Sequence, residues 1–158
     1  MSILVAGGAG YIGAHVVRLL LERGEEVVVV DDLSYGTPER VKGASLVELD
    51  VASGQAPQTL AEVMDSHGVT AVIHFAALKA VGESVKKPME YYSNNVSGSL
   101  ILLEEMQRAG VKSIVFSSSA TVYGDPDTVP ITETAPLGEA TNPYGASKQM
   151  MERMMADL

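Results

Sequence analysis

A chain of 158 residues that is 46% hydrophobic and 20% charged is long enough for one domain with a buried core. Its 11 Lys and Arg against 20 Asp and Glu leave a formal charge of −9, which repels phosphate backbones and anionic lipid and so argues against nucleic-acid and membrane partners. Without cysteine there is no disulfide framework, thiolate nucleophile or zinc–thiolate site; with no leader pattern ahead of Ile3-Leu4-Val5 and no membrane-length apolar run, the expected location is the cytoplasm.

Taken in chain order, the elements repeat one unit. A strand at about 2–6 leads into a helix over 11–23 with apolar Ile12, Val16, Leu19 and Leu20, and Gly24 follows. A strand at about 26–31 is followed by a loop over 34–43 and a more mixed strand at about 45–50, which suits a sheet edge. Leu60, Val63 and Met64 then mark a helix ahead of Gly68 and a strand at about 70–76. Leu100, Leu103 and Met106 mark another ahead of Gly110 and a strand at about 112–118. Glycine just past a helix takes the left-handed conformation that ends it. Four of the five strands are continuous apolar runs, as expected for burial on both faces. Strands alternating with helices call for an α/β doubly wound parallel sheet of order 3-2-1-4-5, within a single domain spanning 1–158. The loops over 34–43 and 120–141 fall at the carboxyl ends of strands 2 and 5, where such sheets place their sites.

Three motifs carry chemistry. The run Gly7-Gly8-Ala9-Gly10-Tyr11-Ile12-Gly13 lies between the first strand and the first helix. Glycines at 7, 10 and 13 suit a tight turn, the approach of a pyrophosphate to the helix N-terminus, and close helix–strand packing. Asp31, at the end of strand 2, offers a carboxylate to the hydroxyls of an adenosine ribose and repels a 2′-phosphate. Asp32 follows and no arginine comes until Arg40, so NAD is favoured over NADP. The third motif is Tyr144-Gly145-Ala146-Ser147-Lys148, with Asn142-Pro143 marking a helix start. Tyr144 and Lys148 then share a helix face, and an ammonium beside a phenol favours the phenolate, making Tyr144 a usable base near neutral pH.

The glycine run, the strand ending in Ser117-Ser118-Ser119 and the Tyr-x-x-x-Lys helix resemble the extended short-chain dehydrogenases/reductases. Within that family three segments are similar to the UDP-glucose 4-epimerases: Ala76-Ala77-Leu78-Lys79-Ala80-Val81-Gly82-Glu83-Ser84, Lys87-Pro88 with Tyr91-Tyr92, and Ser117-Ser118-Ser119-Ala120-Thr121-Val122-Tyr123-Gly124. The resemblance implies a Rossmann-like domain holding NAD and a UDP-sugar substrate. Tyr144 would be the base, Lys148 its partner and a ribose ligand, and Ser119 the relay to the sugar 4′-hydroxyl. It places Gly7, Gly10, Tyr11, Ile12, Gly13, Asp31, Asp32, Leu33, Ser34, Gly36, Asp50, Val51, Phe75, Ala76, Ala77, Lys79 and Ser117 along the cofactor, with one asparagine of the pair Asn94-Asn95, of which Asn94 is taken. Ser84 and Thr121 fall near the sugar with Ser119 and Tyr144. The chain departs from the pattern at Ala6, Ala14, Asp32 and Ala146, none of which removes a catalytic group.

The implied reaction is 4-epimerisation through a 4-keto sugar, interconverting UDP-glucose and UDP-galactose, in a protein that forms a homodimer at full length. Family members run to about twice this length, so the expectation for this chain is an N-terminal half with the last strands and the substrate domain absent, strand 5 an unprotected edge, and turnover weak or nil. The alternatives are an NAD-binding module without turnover, and a sugar-nucleotide dehydratase or oxidoreductase of the same superfamily. His15, His67 and His74 lack metal-ligand spacing, and His74 reads as a packed, hydrogen-bonded core residue. Met151, Met154, Met155 and Leu158 read as a packing stripe.

Overall fold

The computed structural model describes residues 1–158. In chain order the elements are β1 (Ser2–Ala6), α1 (Tyr11–Glu22), β2 (Glu26–Asp31), a 3-10 turn (Pro38–Val41), β3 (Ser45–Glu48), α2 (Ala56–His67), β4 (Val69–His74), α3 (Val81–Lys86), α4 (Pro88–Tyr91), a π-helical turn (Tyr92–Ser97), α5 (Gly98–Ala109), β5 (Ser113–Phe116), a second 3-10 turn (Ala120–Tyr123) and α6 (Pro143–Ala156). The chain divides into two units, one of residues 1–77 and 98–117, the other of residues 78–97 and 118–158.

The first unit holds the whole sheet. Its five strands are parallel in the order β3-β2-β1-β4-β5, as the alternation of apolar runs and amphipathic stretches requires. Gly24, Gly68 and Gly110 all sit at left-handed φ of 79°, 57° and 72°, the helix-ending conformation expected of them. β3 is an edge, as its mixed composition suggests. β5 is the other edge, and there the expectation of burial on both faces fails. Its residues alternate between exposed and half-buried, with Val115 at 64% exposure, because only β4 pairs with it.

On one side of the sheet, Val5, Val27 and Val29 pack with Ala9, Val17 and Val41, and Leu20 and Leu21 close over them. Each such buried valine contributes roughly 1.5 kcal/mol or more. The buried face of α1 is therefore centred on Gly13 and Val17; of the expected stripe Val16 and Leu20 are half-buried, while Ile12 and Leu19 stand exposed. The reason is steric. A side chain at Gly13 would overlap the Gly7 carbonyl oxygen, so the helix comes closest along the one position without a Cβ. Elsewhere the periodicity reads correctly: Leu60, Val63 and Met64 on α2 and Leu103 and Met106 on α5 are buried, although Leu100 is not. His74 is buried, bonds through Nε2 to the Ser99 hydroxyl at 2.8 Å and lies against the Phe116 ring.

The second unit is built of the short helices α3 and α4, the π-helical turn and α6. The two segments read as loops each contain one 3-10 turn, and the helices α3 and α4 were not foreseen. Pro88 starts α4, and Pro143 starts α6 behind Asn142, whose side chain accepts from the Gly145 amide at 2.8 Å. On α6, Met151 is fully buried, Met154 and Met155 are half-buried, and Leu158 is exposed. No helix is long and apolar enough to cross a membrane.

Candidate cofactor and catalytic site

In the first unit, the chain leaves β1 into a turn whose glycines are fixed by different forces. Gly7 has φ of 78°, and a Cβ there would lie 2.5 Å from the Ala76 amide nitrogen. Gly13 is required by the contact with Gly7 already described. Gly10 is different: its backbone is extended, and a Cβ would meet nothing nearer than the Gly7 carbonyl oxygen at 3.5 Å. Nothing in the protein itself demands a glycine at 10. It is also the N-cap of α1, with no side chain capping the helix and no acidic residue in its first turn, and Tyr11 and Ile12 are exposed there. An open, uncapped, positively polarised helix start with a Cβ missing for no internal reason fits the pyrophosphate of a dinucleotide.

Asp31, almost fully buried at the end of β2, ties two segments together. Its Oδ2 accepts from the Ala9 amide and its Oδ1 from the Leu33 amide, both at 2.9 Å. Each carboxylate oxygen keeps a lone pair for a further donor. Leu33 has φ of 58°, a conformation rare for a residue with a side chain. Asp32 is exposed and accepts from both the amide and the hydroxyl of Ser34, at 3.0 and 2.7 Å. A Cβ on Gly36 would lie 2.7 Å from Ala9, so this loop lies on the glycine turn. Phe75 and Ala76 both donate their amides to the Ala6 carbonyl, which sets them beside Gly7. The fold thus brings Gly7, Gly10, Gly13, Asp31, Leu33, Gly36, Phe75 and Ala76 around one turn. Asp50 caps its own turn by accepting from Ala52 at 2.8 Å, Val51 is buried, and Ala77 and Ser117 are half-buried at strand ends.

In the second unit, α6 carries Tyr144 and Lys148 one turn apart, both buried. The Lys148 ammonium lies 6.0 Å from the centre of the Tyr144 ring, and the Tyr91 ring stands edge-on to Tyr144 at 6.5 Å. Burial pulls Lys148 down from its ordinary 10.5 to about 8, while the Glu152 carboxylate pulls it the other way. Glu152 in turn accepts from the Ser118 hydroxyl. Ser119 caps the 3-10 turn by accepting from Thr121, from its amide at 3.2 Å and its hydroxyl at 2.9 Å. Ser84 is fully buried, its hydroxyl donated to the Val81 carbonyl at 2.7 Å. Lys79 is exposed.

The two asparagines of the pair Asn94-Asn95 differ in burial and bonding. Asn95 is fully buried and its amide is spent on the protein: it accepts from Leu78 N at 2.8 Å and donates to Leu78 O and to the Ser147 hydroxyl, both at 3.0 Å. Asn94, half-buried, has no such duty. Sequence reasoning gave Glu152 no part, weighed Asn95 only as a cofactor ligand, and named Tyr91 only within a family-like segment. Tyr91 receives the Ala80 amide at 3.0 Å and shares its proton between the Ala80 carbonyl at 2.9 Å and Glu83 at 3.0 Å. Nothing in that segment signalled the three bonds its hydroxyl makes.

Against known proteins, residues 3–158 match the model of the NAD dependent epimerase/dehydratase family. The chain belongs to that family. It is 53% identical over 162 residues to a UDP-glucose 4-epimerase of Haemophilus influenzae, covering 99% of this chain and 48% of that protein. It is equally 53% identical over 166 residues to a UDP-glucose 4-epimerase of Bacillus subtilis, covering 100% of this chain and 48% of that one. The crystal structure of UDP-glucose 4-epimerase from Bifidobacterium longum, in complex with NAD+ and UDP, superposes with a TM-score of 0.94 at 45% identity, over 99% of this chain and 48% of the other. The chain spans about half the length of the curated relatives it matches. Family membership and the sheet order agree with the resemblance read from the motifs.

Proposed function

We propose that the protein acts in NAD-dependent 4-epimerisation of a UDP-sugar, interconverting UDP-glucose and UDP-galactose. The observation that carries this reading is the buried Tyr144–Lys148 pair on α6, in a chain of the epimerase/dehydratase family. The open start of α1 would take the pyrophosphate, Asp31 the adenosine ribose hydroxyls, and the loop through Leu33, Ser34 and Gly36 the adenosine beyond it. NAD, when bound, supplies the acceptor and donor of hydride at the sugar C4′. Tyr144 takes the proton of the 4′-hydroxyl and later returns it to the 4-keto sugar's oxygen. Lys148, its charge supported against burial by Glu152, stands beside the Tyr144 ring. Ser119 already accepts two bonds from Thr121, so its own proton is free to point at the 4′-oxygen. Asn94, Lys79 and Ser117 complete the cofactor contacts, and Ser84 and Thr121 shape the sugar side.

A second copy of the chain is the proposed partner. In the second unit a groove of about 470 Å³ runs between Met89, Tyr92, Ser93, Val96, Ser97 and Met150, apolar enough to be covered by its own image. Sedimentation equilibrium tests this, a monomer at micromolar concentration standing against it.

The function is tested by incubating the protein with UDP-galactose and NAD+ and following UDP-glucose. Conversion by this chain is expected to be weak, and what there is should fall about 100-fold or more in Tyr144→Phe. Net release of NADH would point to an oxidoreductase instead, and NAD binding without conversion would leave a cofactor-binding module.

A further inference from the structure

Arg40 stands 31 residues from Ala9 in sequence, yet the β2–β3 loop folds back so that its Nη1 reaches the Ala9 carbonyl at 3.4 Å and the Tyr35 carbonyl at 3.2 Å. Ala9, at the centre of the glycine turn, is thereby held from three directions by one loop: its amide by Asp31, its carbonyl by Arg40, and its Cβ by the backbone at Gly36. The loop between these contacts contains Leu33 in its left-handed conformation, which only surrounding contacts can maintain. Arg40 makes no salt bridge, so its guanidinium serves two backbone carbonyls and no carboxylate. One amino group, Nη1, thus offers its two hydrogens to the two carbonyls, at a reach set by the full length of the arginine side chain.

We propose that Arg40 is a positioning residue for the adenosine end of the cofactor, a clip that holds the Leu33–Gly36 loop against the glycine turn before any ligand arrives. Its two acceptors lie on the glycine turn and the loop, so it governs the loop and not the core. Because the loop is ordered in advance, a dinucleotide binding there spends less on ordering it. The consequence for binding rests on the proposed NAD site, whereas the clip itself does not.

The test uses hydrogen exchange of the ligand-free protein, followed by binding. In Arg40→Ala, exchange of the Leu33 and Ser34 amides, both bonded to aspartate side chains, should quicken about tenfold, while amides of β1 and β4 keep their rates. Affinity for NAD and for AMP should fall by the same factor, about five- to tenfold, since the clip acts on the adenosine end alone. Arg40→Lys keeps the charge but ends one bond short of the Nη1 position, and should resemble Arg40→Ala. Unchanged loop exchange in Arg40→Ala would overturn the proposal. So would wild-type behaviour in Arg40→Lys, which would mean that charge and not the clip is at work. Absence of NAD and AMP binding in the wild type would sink the cofactor reading, with the exchange data still deciding the clip.

Discussion

The buried amide of Asn95 donates to the hydroxyl of Ser147, 52 positions further along the chain, at 3.0 Å. That hydroxyl passes its own proton to the Tyr144 carbonyl at 2.7 Å. One asparagine therefore fixes the first turn of α6 and, through Leu78, the backbone leading to Lys79. In Asn95→Ala, both Leu78 backbone groups and the Ser147 hydroxyl lose this partner. Leaving part-buried polar groups bare costs on the order of 3 kcal/mol in total. Ser147→Ala should cost about 1–2 kcal/mol, and the double variant less than the sum by at least roughly 0.5 kcal/mol. Urea denaturation of the four proteins measures the coupling; strict additivity would mean that the two side chains act independently.

The glycine turn separates folding from binding. In Gly13→Ala the new methyl overlaps the Gly7 carbonyl and stands 2.8 Å from Gly8 Cα, both rigid backbone. A loss of stability on the order of 3 kcal/mol follows. In Gly10→Ala the methyl has room, so stability should change by about 1 kcal/mol at most, as for an N-cap exchange. NAD affinity should nevertheless collapse, because the methyl occupies the approach of the pyrophosphate. Thermal denaturation and calorimetric titration check the pair. A Gly10→Ala protein that binds NAD as well as the wild type would remove the turn from the cofactor site.

These contrasts show what the sequence disclosed and what it hid. Sheet order was readable because the centres of β1, β2 and β4 are apolar and a glycine follows the helix before each of β2, β4 and β5. Tyr144 and Lys148 were readable because four residues make one helical turn. The face of α1 was not, since the residue that decides it, Gly13, carries no side chain for a periodicity to register. The helices α3 and α4 span six and four residues, too few for a period, and they expose Val81, Val85 and Met89. Arg40 was set aside as distant, because sequence separation says nothing about a loop that turns back on the strand it left.

A second loop is closed at its neck. Gln149 on α6 donates to the Val122 and Gly138 carbonyls, both at 2.8 Å, and the Gly138 amide returns to Val122 at 3.2 Å. Between the two ends, residues 125–137 are mostly exposed. Gln149→Ala removes the donor shared by both carbonyls and should cost about 1–2 kcal/mol. The loop then opens more often than the rest of the unit. Cleavage after Glu133 by a glutamyl endopeptidase, read by mass spectrometry, should accelerate several-fold. An unchanged rate would show that backbone contacts alone hold the neck.

Lys148 makes stability depend on pH in a direction opposite to that of a paired lysine. Burial sets its folded value at about 8, below the ordinary 10.5 that it regains on unfolding. Between these values the unfolded chain binds the proton and the folded chain does not, so stability rises with pH across the window. Below about 8 both states are protonated and the full penalty stands, on the order of 3 kcal/mol. Lys148→Met removes this dependence and should be the more stable protein at pH 7, the margin shrinking towards pH 10. Glu152 draws Lys148 upward, so Glu152→Gln should lower its value further and carry the rise to lower pH. Urea titrations of the wild type and both variants at pH 7, 8.5 and 9.5 measure the differences, and groups common to all three cancel. A margin between wild type and Lys148→Met that stays constant over this range would mean that burial does not depress the ammonium.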